Sequence, residues 1–177
     1  MNEKKDFALV RRPSSAVEKV APGAKRILSG MVADTLALIN AGANSHFEKG
    51  EVCYKSGNFA EAFACYRKAA EQGNAKAQNK VGFCFHFGMG ITEDRHEALK
   101  WFGKSTRQGN TDSACFLGQW HIEKDYAEAY KWLTLAFEQD DKRAVSGLAT
   151  LRSWMSPNDL LEGKRRLHEF REQTIEN

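Results

Sequence analysis

Prolines are scarce in this sequence, and all three (Pro13, Pro22 and Pro157) stand near its ends. From Ala24 to Ser156 there are none, so nothing in that stretch removes a backbone donor or forces a helix to break. Long apolar runs are also missing. No segment approaches the roughly 18 consecutive apolar residues that a membrane-spanning helix needs. A strong charge of one sign is absent too, since a net +3 is too mild to point to nucleic acid. Cys53, Cys65, Cys84 and Cys115 are spaced by 12, 19 and 31 residues, which gives neither a CxxC pair nor a zinc pattern. Cys84 and His86, two apart, point to different faces of a helix. The cysteines read as buried reduced thiols, suited to a reducing cytoplasm. His46, His86, His96, His121 and His168 are scattered, and none has a partner at metal spacing. No G-x-S-x-G, H-E-x-x-H or phosphate loop occurs, and Gly88-Met89-Gly90 lacks the following glycine or Lys-Ser/Thr. The expectation is therefore no catalytic centre, no cofactor and no metal.

What is present describes a globular chain. Apolar residues make up 42% and charged residues 28% of 177 residues, enough for one domain with a core. Residues 1–22 carry Lys4, Lys5, Arg11, Arg12 and Lys19 and read as a disordered basic tail. Residues 24–41 read as an N-terminal capping helix, in which Ile27, Met31 and Leu38, and also Val32, Leu36 and Ile39, follow the helical period. The same stretch ends in Ala41-Gly42-Ala43, which has the form of a signal cleavage site. Asp34, Ser29, Gly30 and Thr35 interrupt its apolar character, so secretion is the minority reading.

The sequence repeats internally. Glu71-Gln72-Gly73-Asn74, Arg107-Gln108-Gly109-Asn110 and Glu138-Gln139-Asp140-Asp141 align, with periods of 36 and 31 residues. In each copy nine residues separate Gly73, Gly109 or Asp140 from Gly82, Gly118 or Ala149. Gly50 has the same role in an earlier copy. A second stripe recurs as Ala62, Tyr66 and Ala69, then Ala98, Phe102 and Ser105, then Ala129, Leu133 and Ala136. Its spacing is that of one helix face. The joints Ser56-Gly57-Asn58, Gly88-Met89-Gly90 and Glu123-Lys124-Asp125 close one helix and start the next. Each unit is thus helix A, turn, helix B. The small residue late in helix A is expected to meet the small residue early in helix B (Ala62, Ala98, Ala129), so that the axes approach closely. Stacked pairs make a continuous core and need caps at their ends.

The run from Gly82 through Gly88-Met89-Gly90-Ile91, Asp94 and Glu97-Ala98-Leu99-Lys100-Trp101-Phe102 to Gln108-Gly109-Asn110 resembles Sel-one-like repeats (SLR), a subclass of tetratricopeptide repeats. Lys131-Trp132 and Arg67-Lys68-Ala69-Ala70 agree. The resemblance implies an all-α, right-handed α-solenoid of antiparallel helix pairs with N- and C-terminal capping helices. The repeat domain would span 43–172, with units 43–74, 75–110 and 111–140, a partial unit 141–155 and a capping helix 157–172. Ser156 reads as the N-cap of that last helix and Pro157 as its first residue. Leu160, Leu161, Leu167 and Phe170 would then face the last pair.

Resemblance to tetratricopeptide domains also puts five positions of each helix A on a concave, partner-binding face. These are Asn44, Phe47, Glu51, Tyr54 and Lys55, then Lys76, Asn79, Phe83, His86 and Phe87. The third unit gives Asp112, Cys115, Gln119, Ile122 and Glu123, and the partial fourth Arg143, Ser146, Thr150, Ser153 and Trp154. Phe83, Phe85 and Phe87 cannot share one helix face, so at least one lies outside the core. Trp101 and Trp132, at matching positions, are expected to pack. The function implied is a non-catalytic scaffold or adaptor, monomeric, bacterial and cytoplasmic, holding a protein or peptide of unknown identity. Two alternatives stand beside it: the N-terminal segment as a docking element, with the repeats as a recruiting module, and nucleic-acid binding through the basic tail and Lys164-Arg165-Arg166. A hydrolase ranks last.

Overall fold

The computed structural model describes residues 22–175, and its side chains from 31 to 174. The expected tail over residues 1–22 lies almost wholly outside them. Eight helices follow one another: α1 (Pro22–Lys55), α2 (Phe59–Glu71), α3 (Ala75–Phe87), α4 (Arg95–Arg107), α5 (Thr111–His121), α6 (Tyr126–Phe137), α7 (Lys142–Trp154) and α8 (Pro157–Ile175). Among the described residues there is no strand, and the fold is an all-α solenoid of antiparallel helix pairs. The chain divides into two units, 1–38 and 39–177, the second of which carries the repeats.

Instead of a separate helix over 24–41 followed by a first repeat helix, α1 runs unbroken to Lys55. Asn40-Ala41-Gly42 does not end it, because no proline follows and the flanking alanines favour helix. In the first unit Met31, Val32, Leu36 and Leu38 are exposed, Leu38 by 75%.

The joints explain where the later helices begin. Asn74, Asp94, Asn110, Asp125 and Asp141 each accept a backbone N–H of the following first turn through the side chain, which satisfies a donor the helix leaves open. At α8, Ser156 N–H donates to Asp159 Oδ2 at 2.9 Å while Asp159 N–H donates to Ser156 Oγ at 3.2 Å, a reciprocal cap. The residue before each A-helix cap is left-handed, with φ +91° at Gly73, +80° at Gly109 and +59° at Asp140. Asp140 is therefore a side chain in a glycine position, as the repeat alignment implies. Asp140→Gly should raise stability by about 0.5–1 kcal/mol by relieving that conformation, read as a higher urea midpoint with unchanged slope.

Glycines of the A helices set the spacing inside each pair, but against larger partners than expected. An added Cβ would lie 2.6 Å from the Tyr66 ring at Gly50, 2.8 Å from the Phe102 ring at Gly82 and 2.5 Å from Leu133 at Gly118. The nearest atoms belong to the residue four places after Ala62, Ala98 or Ala129. Helical side chains lean toward the N-terminus of their own helix, so the ring or branched chain fills the notch at the glycine. Tyr66, Phe102 and Leu133 are at most 1% exposed and anchor successive core clusters. Ala149, the expected fourth counterpart, is exposed.

The reason lies in α8, which packs on α6. Gly163 lets it approach, since a Cβ there would lie 2.8 Å from Tyr130 and 3.2 Å from the Ala127 carbonyl. Arg166 donates to Asp125 at 2.7 Å and to Glu128 at 3.2 Å, and Phe170 meets Trp132 edge to face at 5.1 Å. Leu160 is half-buried, and Leu167 and Phe170 are buried. Leu161, expected to face the last pair, is instead 70% exposed, because the adjacent position is turned about 100° around the helix.

Candidate functional site

The A helices carry the candidate face. On α3, Phe83 and Phe87 are one turn apart and stack with centroids 6.0 Å apart and planes 7° from parallel. Phe83 is half-buried, meeting Phe102 at 5.1 Å and Phe116 of α5 at 5.5 Å, both edge-on. Phe87 ends the helix and is 61% exposed, while Phe85 turns away to meet Phe63 of α2 at 5.4 Å. His86 lies between Phe87, Phe116 and Trp120 at 4.5–5.6 Å. Burial, with Arg95 beside it, pushes its pKa down, which favours the neutral form of the ring.

Between α1 and α3 this aromatic row borders a cavity of about 220 Å³, lined by Tyr54, Tyr66, Lys80, Phe83, Cys84, Phe87 and Met89. Tyr54 is partly exposed and meets Phe59 edge-on at 5.4 Å. A second hollow between α3 and α5 is lined by Asn79, Lys80, Phe83, Asp112, Cys115, Phe116, Gln119 and Arg143. The structure thus brings Tyr54, Phe83, Phe87, Asp112 and Gln119 together on one surface.

Several other residues expected on that face make contacts within the fold. Glu51 accepts from Tyr66 Oη at 2.7 Å and pairs with Lys80 at 3.0 Å. Burial alone pushes its carboxyl up, but these two bonds more than offset that and hold it below its ordinary range. Asn79, 6% exposed, donates to Ser113 Oγ at 2.8 Å and ties α3 to α5. Asn44 accepts from Asn74, the cap of α3, at 2.9 Å. Phe47 is half-buried against Tyr66 at 5.9 Å, and Cys115 is 3% exposed. Ile122 packs into the α6–α7 core cluster. On α7, Arg143 reaches Asp112 at 2.5 Å, while Ser146, Thr150 and Ser153 bond back to their own helix. Lys55, Lys76, Glu123 and Trp154 are exposed.

Lys80, Met89, Phe116 and Trp120 were not expected on this surface. Lys80 and Phe116 each follow an expected position by one residue. Two stripes separated by one residue differ by about 100°, and repeat spacing alone does not choose between them.

No nucleophile–base pair emerges from these contacts. Burial pushes the Cys84 and Cys115 thiols up to about 11, which leaves them poor nucleophiles. Among the described residues no cluster of His, Cys, Asp and Glu could hold a metal, and no helix is long and apolar enough to cross a membrane.

Family models match the Sel1 repeat over residues 75–110 and 113–141 and the tetratricopeptide repeat over 43–73. A protective antigen of uropathogenic Escherichia coli displaying an SLR fold superposes with a TM-score of 0.67 at 21% identity, covering 73% of this chain and 30% of that one. A Sel1 repeat protein from Oxalobacter formigenes gives 0.57 at 32% identity over 62% of this chain and 47% of that one. Among curated proteins, the ERAD-associated E3 ubiquitin-protein ligase component HRD3A of Arabidopsis thaliana is 35% identical over 72 residues, 40% of this chain and 11% of that protein. Chitin synthase regulatory factor 2 of Schizosaccharomyces pombe is 28% identical over 56% of this chain and 22% of its own length. The chain thus spans only a small part of these curated relatives. Proteins built from such repeats are typically interaction scaffolds. With its paired helices, notched glycines and matching repeats, this chain belongs to the Sel1-like repeat proteins of the tetratricopeptide-like superfamily.

Proposed function

We propose that this protein is a non-catalytic scaffold that holds a partner peptide on the A-helix face of its first three repeat units. The observation carrying this reading is Phe87, an aromatic side chain 61% exposed and stacked on Phe83 beside the cavity under Tyr54 and Lys80. An exposed aromatic on a rigid helix, flanked by polar groups, is the composition of a binding hot spot. Asp112 and Gln119 line the adjoining hollow that shares Phe83, and Lys55 and Lys76 are exposed elsewhere on the A helices. Four free buried cysteines support a reducing compartment such as the cytoplasm.

The test is affinity capture from the native cell lysate with wild type and with Phe83→Ala/Phe87→Ala, after circular dichroism shows the variant is helical. Phe47, Glu51 and Asn79 stay in place because they hold the stack together. Recovery of the specific partner should fall about tenfold or more, as for the loss of two hot-spot side chains. Equal recovery by the folded variant would place the partner elsewhere.

A second reading is favoured by the exposed apolar side chains Met31, Val32, Leu36 and Leu38 on α1. That stretch would dock the protein to an assembly, and substituting the four by Ser would then release it while leaving A-helix binding intact.

A further inference from the structure

We infer that the cleft between α4 and α8 is a second docking site, for an acidic peptide segment carrying an aromatic or aliphatic side chain. This cleft lies away from the A-helix face and does not rest on the reading given above. Because α8 packs on α6, an open space of about 670 Å³ remains between α8 and α4. That size falls in the range of sites that enclose a ligand group or a few peptide residues.

The floor is apolar, formed by Leu117, Trp132 and Phe170, all less than a tenth exposed. The walls are basic: five cations (Lys100, Lys104, Arg107, Lys131 and Arg166) stand against two carboxylates, Glu128 and Glu169. Three of the cations are engaged. Lys100 pairs with Glu97 at 2.5 Å, Lys131 pairs with Glu128, and Arg166 bridges Asp125, Glu128 and Glu162. The other two rest on rings, with Lys104 Nζ 4.0 Å from the Trp101 centroid and the Arg107 guanidinium 5.7 Å from that of Phe170. Both are exposed at the mouth, where an incoming carboxylate replaces water without breaking an ion pair.

The apolar floor suits a peptide side chain better than a phosphate backbone, which has no apolar group to place on it. The chain's own lead segment, with Lys4, Lys5, Arg11 and Arg12, has the wrong charge to be the occupant.

The test uses fluorescence anisotropy on the full chain with a fluorescein-labelled peptide Asp-Glu-Phe-Asp-Glu, and with versions in which Phe is Ala or the acids are Lys. Wild type should bind the first peptide, weaken severalfold for the Ala version and ignore the Lys version. Lys104→Glu/Arg107→Glu should weaken binding about tenfold or more, and Lys104→Gln/Arg107→Gln by less. Phe83→Ala/Phe87→Ala should leave it unchanged, which separates this site from the A-helix face. Unchanged circular dichroism of the charge variants keeps a loss from being read as unfolding. No binding of the acidic peptide, equal binding by the charge-reversed chain, or tighter binding of a five-nucleotide single strand would each overturn the proposal.

Discussion

Phe102→Ala is expected to cost about 3–5 kcal/mol. The ring is completely buried and joins three helices: it fills the notch at Gly82 of α3, lies 4.3 Å from Phe116 of α5, and takes Phe83 edge-on at 5.1 Å. Truncation therefore loses the transfer free energy of a phenyl ring and two aromatic contacts worth roughly 0.5–1.5 kcal/mol each. The glycine notch cannot refill the space, because Gly82 has no side chain to offer. For a chain of this size each kcal/mol lowers Tm by about 2–4 °C, so thermal circular dichroism should show a fall of roughly 6–20 °C. A fall of under about 2 °C would mean that the second and third helix pairs are not coupled through this ring. The effect should also reach the candidate site. Phe83 and Phe116 both lean on Phe102, so the variant should lose partner capture at temperatures where its helix content is still intact.

Gly90→Ala should be the most damaging single-methyl change, at about 2–5 kcal/mol. Two costs combine there. Gly90 has φ +75°, which costs an alanine about 1–2 kcal/mol. Its added Cβ would also lie 2.2 Å from the Phe59 carbonyl oxygen and 2.7 Å from the Ala60 nitrogen. Those are backbone atoms at the start of α2, so no rotamer change relieves the clash, and the joint must move away from the first pair at a further cost of about 1–3 kcal/mol. Gly88 provides the control. Its φ of +66° is similar, but the nearest atom to an added Cβ is 3.5 Å away, so Gly88→Ala should show only the conformational cost. Urea melts of the two variants separate the terms. Equal losses would show that the approach of Gly90 to Phe59 contributes nothing.

These variants mark how far the residues could be read before the fold was known. The repeat was legible because it is written in local chemistry. Asn74, Asn110 and Asp141 cap helices wherever they stand, and a left-handed position tolerates Gly73, Gly109 or Asp140 but few other residues. The split of Phe83, Phe85 and Phe87 between faces follows from helical geometry alone. The face chosen for partner binding was less legible. Asn79 and Glu51 are polar residues at plausible surface positions. Only the neighbouring helix shows that one is satisfied by Ser113 and the other by Tyr66 and Lys80. Lys80, one residue after Asn79, and Phe116, one residue after Cys115, join them in lining the hollow between α3 and α5. A shift of that size is invisible to repeat spacing but rotates a side chain by about 100°.

The sequence by itself determined that the repeats are all-helical, where each joint falls after α2, and that glycines late in the A helices admit close neighbours. Short-range forces decide these features: capping bonds, backbone conformation and the period of apolar residues. The tertiary structure decided which residue fills each glycine notch, that α1 does not break at Gly42, and that α8 packs on α6 and leaves a basic cleft beside α4. Each of these depends on long-range packing. Gly163, Arg166 and Phe170 have no meaning as a set until Tyr130, Asp125 and Trp132 are placed against them.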